Sequence, residues 1–196
     1  MKSGKNNLLP HGFKAKAEKR AIEFRDQLNL KEHHPLSAFD LANHLGIPVF
    51  TPTELGLTKS EAHKLQKDGS GWSGLTMKDS DDEDLIVYNV YHSPTRQQST
   101  LMHELAHVIC KHKLPEPKFI AGHPLPLREY DPFIEEEANC LGSNLQITRA
   151  GLLWALKREM NVEDISQHFI ASEAMVKFRI RITGVNKQLE NARKYY

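Results

Sequence analysis

Two histidines and a glutamate in Met102-His103-Glu104-Leu105-Ala106-His107 could do chemistry together. Residues four apart on a helix stand only about 40° apart around its axis. The imidazoles of His103 and His107 would therefore face the same way and could share one divalent metal, zinc being the usual occupant of such a pair. Glu104 follows the first histidine, where a carboxylate can take a proton from a water that the ion activates. The plainer alternative is a surface helix with two solvated histidines, and the surroundings have to decide between them.

Those surroundings favour a helix built for a site. Ser93-Pro94 is a start signal, with Ser as N-cap and Pro at the first helical position. No Gly or Pro interrupts Thr95 to His112. Leu101, Leu105 and Val108 fall on one side, with Ile109 at its edge. His103 and His107 fall opposite, near the small Ser99, Thr100 and Cys110. A surface helix normally sets charge against its apolar face. Ligands among small residues suit a second element packed close over a metal.

A catalytic zinc takes three protein ligands and leaves one position for water. Glu135, in Glu135-Glu136-Glu137-Ala138-Asn139, leads the candidates for the third. Glu135, Asn139 and Gly142 share one helical face with Ala138 at its edge, and Ala138 and Gly142 allow a close approach to the histidine helix. Asn139 can accept, at its side-chain oxygen, a hydrogen bond from a ring N–H of a ligating histidine. Leu141 and Leu145 mark a core face. Glu136, and with it Glu137, is expected to be a solvated helix start favoured by the macrodipole. The rival ligands are His112, His123 and Cys110. A helical projection puts His112 on the wrong face, His123 sits in a Pro-rich loop, and Cys110 stands about one turn beyond His107.

Leu101-Met102-His103-Glu104-Leu105-Ala106-His107 followed by Glu135-x-x-Ala138-Asn139 resembles the ImmA/IrrE family of metallo-endopeptidases. Trp72-Ser73-Gly74 with Ile86-Val87-Tyr88-Asn89 is similar to the family's hairpin before the active-site helix. Ser172-Glu173-Ala174-Met175 with Arg179 or Arg181 is similar to its C-terminal helical segment. The resemblance runs from about Leu36 to Val185. It departs at Leu145-Gln146-Ile147-Thr148, where the family often has an apolar pair ending in Pro; this leaves the metal set untouched and concerns the substrate cleft. The resemblance implies a zinc endopeptidase that cleaves a DNA-binding repressor controlling a phage, a mobile element or a stress response.

The elements that must position these residues are legible in outline. A chain of 196 residues, 39% apolar and 26% charged, suits one soluble domain with a small helical appendage. Residues 1–35 are expected to form an N-terminal helical extension packed on a main domain of residues 36–196. A net charge of +1 gives no global attraction to nucleic acid or an acidic membrane. Two cysteines make no disulfide framework, and neither a membrane-length apolar run nor a signal peptide is present, so a cytoplasmic location is expected. Residues 1–12 are expected to fray. Residues 13–28 read as a helix, with a mixed-charge solvated face. Ser37-x-x-Asp40 caps a short helix that Gly46 ends. Ile47 to Phe50 reads as an edge strand because of Pro48, and residues 58–67 as a charged helix. Trp72 to Met77 and Leu85 to Val90 read as a hairpin whose acidic tip, Lys78 to Asp84, is a solvated turn rather than a calcium loop. The Pro-rich stretch between His112 and Glu135 is expected to line the cleft.

Residues 149–158 read as a helix. Residues 162–169 and 173–182 read as a helical pair, with Ser172 as cap and Gly184 as stop. The pair resembles a helix-turn-helix, and Lys177, Arg179 and Arg181 could meet phosphates. A packing hairpin is preferred, because Val176, Phe178, Ile180 and Ile182 leave little polar surface for base edges and no strong basic patch accompanies them.

The expectation is an α+β, zincin-like metallopeptidase with a small mixed sheet, an active-site HExxH helix, a second ligand helix and a C-terminal helical hairpin. Zn2+ is held by His103, His107 and Glu135, Glu104 is the base, and Asn139 supports a ligand. Tyr130 is the candidate for oxyanion stabilisation, with Tyr91, His92 and His123 as alternatives. The expected partner is a protein substrate, a repressor, held as an extended segment along the 72–77 strand. No direct nucleic-acid or membrane contact is expected. The rival readings are a metal-stabilised interaction module of toxin–antitoxin type and a helix-turn-helix DNA-binding regulator.

Overall fold

A computed structural model describes residues 8–64, 72–114 and 131–194. In chain order they form α1 (Phe13–Gln27), α2 (Ala38–Leu45), β1 (Val49–Phe50), α3 (Lys59–Lys64), β2 (Gly74–Lys78), β3 (Asp84–Tyr88), α4 (Pro94–Cys110), α5 (Pro132–Gln146), α6 (Arg149–Lys157), α7 (Val162–His168), α8 (Glu173–Thr183) and α9 (Val185–Lys194). The architecture is mixed α+β with a small three-stranded sheet. No helix among the described residues is long and apolar enough to cross a membrane.

The strand order is β1-β3-β2, with β1 parallel and β2 antiparallel to β3. Alternation along β3 sends Ile86 to one face and Leu85 and Val87 to the other. Ile86 joins the main core, while Leu85 and Val87 pack with Trp72 on the outer face. β1 is an edge, as Pro48 requires, and β2 is the other edge.

The helix α4 lies in the middle, against β2 and β3 on one side and α5 on another. The amphipathic reading of this helix is incomplete. Met102 and Ala106 are as fully buried as Leu101 and Leu105, whereas Val108 is only half-buried. A helix covered on two sides needs apolar residues around most of its circumference. Its start also differs: Ser93 is the N-cap but makes no side-chain cap bond, its hydroxyl pairing with Thr95 Oγ1 at 3.2 Å instead. Gln98 ties α4 to the start of α2, donating to Leu36 O at 2.6 Å and accepting from Ala38 N at 3.0 Å.

Among the described residues, the approach to α1 is less loose than its polarity suggests. Leu9 is buried, and Ala17, Ala21 and Phe24 of α1 share the main core with Leu101 and Leu105. Two buried arginines close the C-terminal end of α5, whose last carbonyls have no partner within the helix. Arg25 donates to Leu145 O at 2.9 Å and Gln146 O at 3.3 Å. Arg179 donates to Ile147 O and Asn144 Oδ1, both at 2.8 Å, and to Glu18 Oε2 at 3.2 Å. Burial holds Arg25 below its ordinary range, at about 10. The phosphate-meeting role considered for Arg179 is thereby corrected, since its side chain is 2% exposed and spent on α5 and α1.

After α5, Thr148 stands where Pro would be in the resembling pattern. It caps α6 by accepting from Gly151 N at 2.8 Å and donates to Glu32 O at 2.8 Å. From there α6 to α9 enclose a second core of Ile147, Leu152, Ile165, Phe169, Val176 and Val185. Ser172 caps α8 by accepting from Met175 N, and Gly184 ends it in the left-handed conformation.

Candidate metal centre

Helices α4 and α5 bring the site together because one glycine lets them touch. A Cβ on Gly142 would stand 2.9 Å from Met102 O and 3.1 Å from His103 Cα, both backbone atoms. With hydrogen there instead, α5 packs directly against the backbone of α4 at Met102 and His103.

Three side chains converge in consequence. His103 Nε2 lies 3.1 Å from His107 Nε2 and 3.1 Å from Glu135 Oε2, and His107 Nε2 lies 3.6 Å from Glu135 Oε1. Among the described residues, these three form a group of His, Cys, Asp or Glu whose ligand atoms all lie within 4.8 Å of one another. Metal–ligand bonds of about 2.0–2.2 Å at tetrahedral angles would put ligand atoms about 3.3–3.5 Å apart. The two nitrogens and one carboxylate therefore fit a tetrahedral ion with one position left open. The side chain of His107 is 1% exposed, but those of His103 and Glu135 are 25% and 18% exposed, so the group opens toward solvent on their side.

The electrostatics follow from the same contacts. Burial pulls His103 down. Its hydrogen bond with Glu135, the charges of Glu104 and Glu135 and a hydrogen bond with Asn139 outweigh that and leave it above its ordinary value. Hydrogen bonds from His103 and His107 hold Glu135 well below the usual carboxylate range. Asn139 itself is exposed.

Glu104 is 7% exposed and points to the sheet. Its Oε2 accepts from Thr76 N at 2.9 Å and from Thr76 Oγ1 at 2.7 Å. Here β2 runs so close to α4 that a Cβ on Gly74 would meet Thr100 Cγ2 at 2.5 Å and Glu104 Cγ at 3.4 Å.

Of the rival ligands Cys110 stays apart, while the placement of His112 and the expectation for Glu137 change. Burial pushes the Cys110 thiol up to about 11, and Cys110 is outside the converging group. The wrong-face placement of His112 assumed a helix continuing past Cys110. In fact Lys111 turns left-handed (φ 55) and His112 N donates to His107 O at 3.1 Å, which folds His112 back over His107. His112 Nδ1 comes 2.9 Å from His107 Nδ1, and its Nε2 lies 2.9 Å from Glu137 Oε2. Glu136 is exposed, but Glu137 is half-buried in this contact and is not a merely solvated helix start. Spacing alone could not reveal the pairing, because it depends on the turn at Lys111.

Tyr130 and His123 lie outside the described residues. Tyr91 and His92 are on the turn between β3 and α4, where Tyr91 is exposed and His92 Nε2 lies 3.3 Å from Asn89 Nδ2. The acidic hairpin tip is organised by Asp79, whose Oδ1 accepts from Asp81 N and Glu83 N, both at 2.9 Å.

The family model described as IrrE N-terminal-like domain, peptidase M78, matches residues 42–181. A search of curated proteins finds no match.

Proposed function

The chain belongs to the ImmA/IrrE family of peptidase M78 proteins, and from that premise we propose that it is a zinc-dependent endopeptidase cutting a peptide bond in one protein partner, a DNA-binding repressor. The observation that carries this is the convergence of His103 Nε2, His107 Nε2 and the Glu135 carboxylate at tetrahedral spacing. These three residues would hold the ion. When bound, zinc supplies Lewis-acid activation of a water and of the scissile carbonyl.

Glu104 is the base in this reading. It takes the proton released by the attacking water and passes it to the leaving amine. Thr76 fixes one carboxylate oxygen, leaving the other for that exchange. Asn139 steadies the His103 ring. Tyr130, close before Glu135 in sequence, is kept as the residue that stabilises the oxyanion.

The proposed architecture is zincin-like. In this reading residues 1–35 are an extension of a metallopeptidase domain of residues 36–196, and the core that α1 shares with α4 supports its packing on that domain. The outer strand β2 is the surface on which an extended substrate would pair. Glu104 already takes the Thr76 amide, so pairing has to use groups on either side of it. Recognition by shape accords with a net charge of +1, and the proposed cytoplasmic location accords with the free Cys110 and Cys140. The burial of Arg179 and the exposure of Phe178 and Ile182 on α8 weigh against DNA reading.

Metal analysis of the purified protein with and without His103→Ala tests the metal. About one zinc per chain, lost in the variant, is expected. Co-expression with a repressor-like protein tests the reaction, with a discrete product abolished by Glu104→Gln. A wild-type protein that binds the partner but leaves it whole with zinc supplied would favour the interaction-module reading.

A further inference from the structure

We propose that His112 and Glu137 are positioning residues for the metal centre, holding His107 in the one tautomer and orientation in which it can bind the ion. This rests on the reading of His107 as a ligand.

The hydrogen-bond chain permits only one assignment once His107 binds metal. His107 Nε2 faces His103 and Glu135, so a metal takes its lone pair and the ring proton must sit on Nδ1. That Nδ1 lies 2.9 Å from His112 Nδ1, which must then accept. His112 consequently carries its proton on Nε2 and donates it to Glu137 Oε2 at 2.9 Å. Each of the three groups has a partner, and reversing any proton either leaves two lone pairs facing each other or blocks the metal.

The surroundings make this chain matter. The side chains of His107 and His112 are 1% and 5% exposed, so little water can substitute for either bond. The anionic Glu137 at the far end draws positive charge along the two rings and makes His107 Nε2 a better donor to a cation. The relay spans both ligand helices, since His112 follows α4 and Glu137 lies on α5 two residues beyond Glu135. It therefore also sets the height of one helix against the other at the ion.

The test measures zinc affinity by competition with a chromogenic chelator, using zinc ion alone as probe and no substrate. His112→Phe fills the space but breaks both bonds; His112→Gln can accept from His107 and donate to Glu137. Glu137→Ala removes the terminal anion at a partly exposed position. Affinity is expected to fall on the order of tenfold in His112→Phe and Glu137→Ala and to stay near wild type in His112→Gln. The imidazole nitrogen spectrum of zinc-loaded wild type should show His107 protonated on Nδ1 and His112 on Nε2. A packing role predicts the opposite order, with Phe tolerated and Gln not, and would overturn the proposal. So would wild-type affinity in both His112→Phe and Glu137→Ala. If His112→Phe fails to fold, Glu137→Ala and the spectrum decide. A wild-type protein that takes up no zinc would instead remove the metal reading itself, and the relay with it.

Discussion

Thr76 binds Glu104 twice, its amide and its hydroxyl reaching the same carboxylate oxygen at 2.9 and 2.7 Å. The outer strand thereby orients Glu104, the residue proposed as the base, on the central helix. Thr76→Val keeps the amide bond and deletes the hydroxyl bond. A hydrogen bond to a charged group is worth about 1.5–3 kcal/mol, so turnover should fall roughly tenfold or more while zinc content stays unchanged. Thr76→Ser should restore most of the rate. Equal turnover in the Val and wild-type enzymes would show that the hydroxyl is not needed.

Removing the proposed base itself should have a larger effect. Glu104→Gln cannot accept a proton, and general base catalysis contributes about 10²–10⁴-fold. Cleavage should fall by that order, with zinc content near one per chain. Wild-type cleavage by this variant would mean that the base is elsewhere.

Glu135→Ala should behave differently, losing zinc as well as activity, because it deletes a proposed ligand rather than the proposed proton acceptor. Metal content after dialysis distinguishes the two variants. Retention of stoichiometric zinc by Glu135→Ala would point to another third ligand.

Much of this arrangement could be read from residue types and spacing. The His103–His107 pair, the helix of Glu135 and Asn139 and the small residue at 142 follow from helical periodicity, which holds wherever the helix is regular. His112 defeats that logic because Lys111 ends the helix before it. Met102 and Ala106 were unmarked because a helix covered on two sides has no contrasting faces. Arg25 and Arg179 read as surface charge, the usual fate of arginine. Only the free carbonyls at the end of α5 give them a reason to be inside.

Gly142 offers a stability prediction. A methyl group there meets backbone, which cannot rotate aside. Gly142→Ala should cost about 1–3 kcal/mol by overpacking, read as a lower urea midpoint. Zinc affinity should fall with it as α5 is pushed from α4. An unchanged midpoint and affinity would mean that the helices separate without cost.

The His33 ring stacks on Trp154 at 4.4 Å between centroids. Partial burial, with nearby His34, Lys31, Arg158 and His168, places its protonation below the ordinary histidine value of 6.5. The sign follows. The unfolded chain binds this proton more readily, so the stabilising term is complete above pH 6.5 and is lost as pH falls through the lower folded value. The fall in melting temperature from pH 7.5 to 5.5 should be smaller in His33→Phe, which keeps an aromatic stack. An identical fall in both proteins would exclude His33 as a contributor.

The two arginine clamps on α5 bear on how the chain comes to be active. Arg25 reaches residues 145 and 146 from near the start of the chain, and Arg179 reaches 144 and 147 from near its end. The Arg25 clamp closes a long loop, whose entropy must be lost first, whereas the Arg179 clamp waits on the appearance of α8. A ribosome-bound chain that has not yet exposed residue 179 already contains His103, His107 and Glu135 but lacks the second clamp on the helix presenting Glu135. The order of synthesis thus leaves the helix presenting Glu135 without its second clamp until residue 179 has emerged, and the proposed metal centre stays unbraced until then.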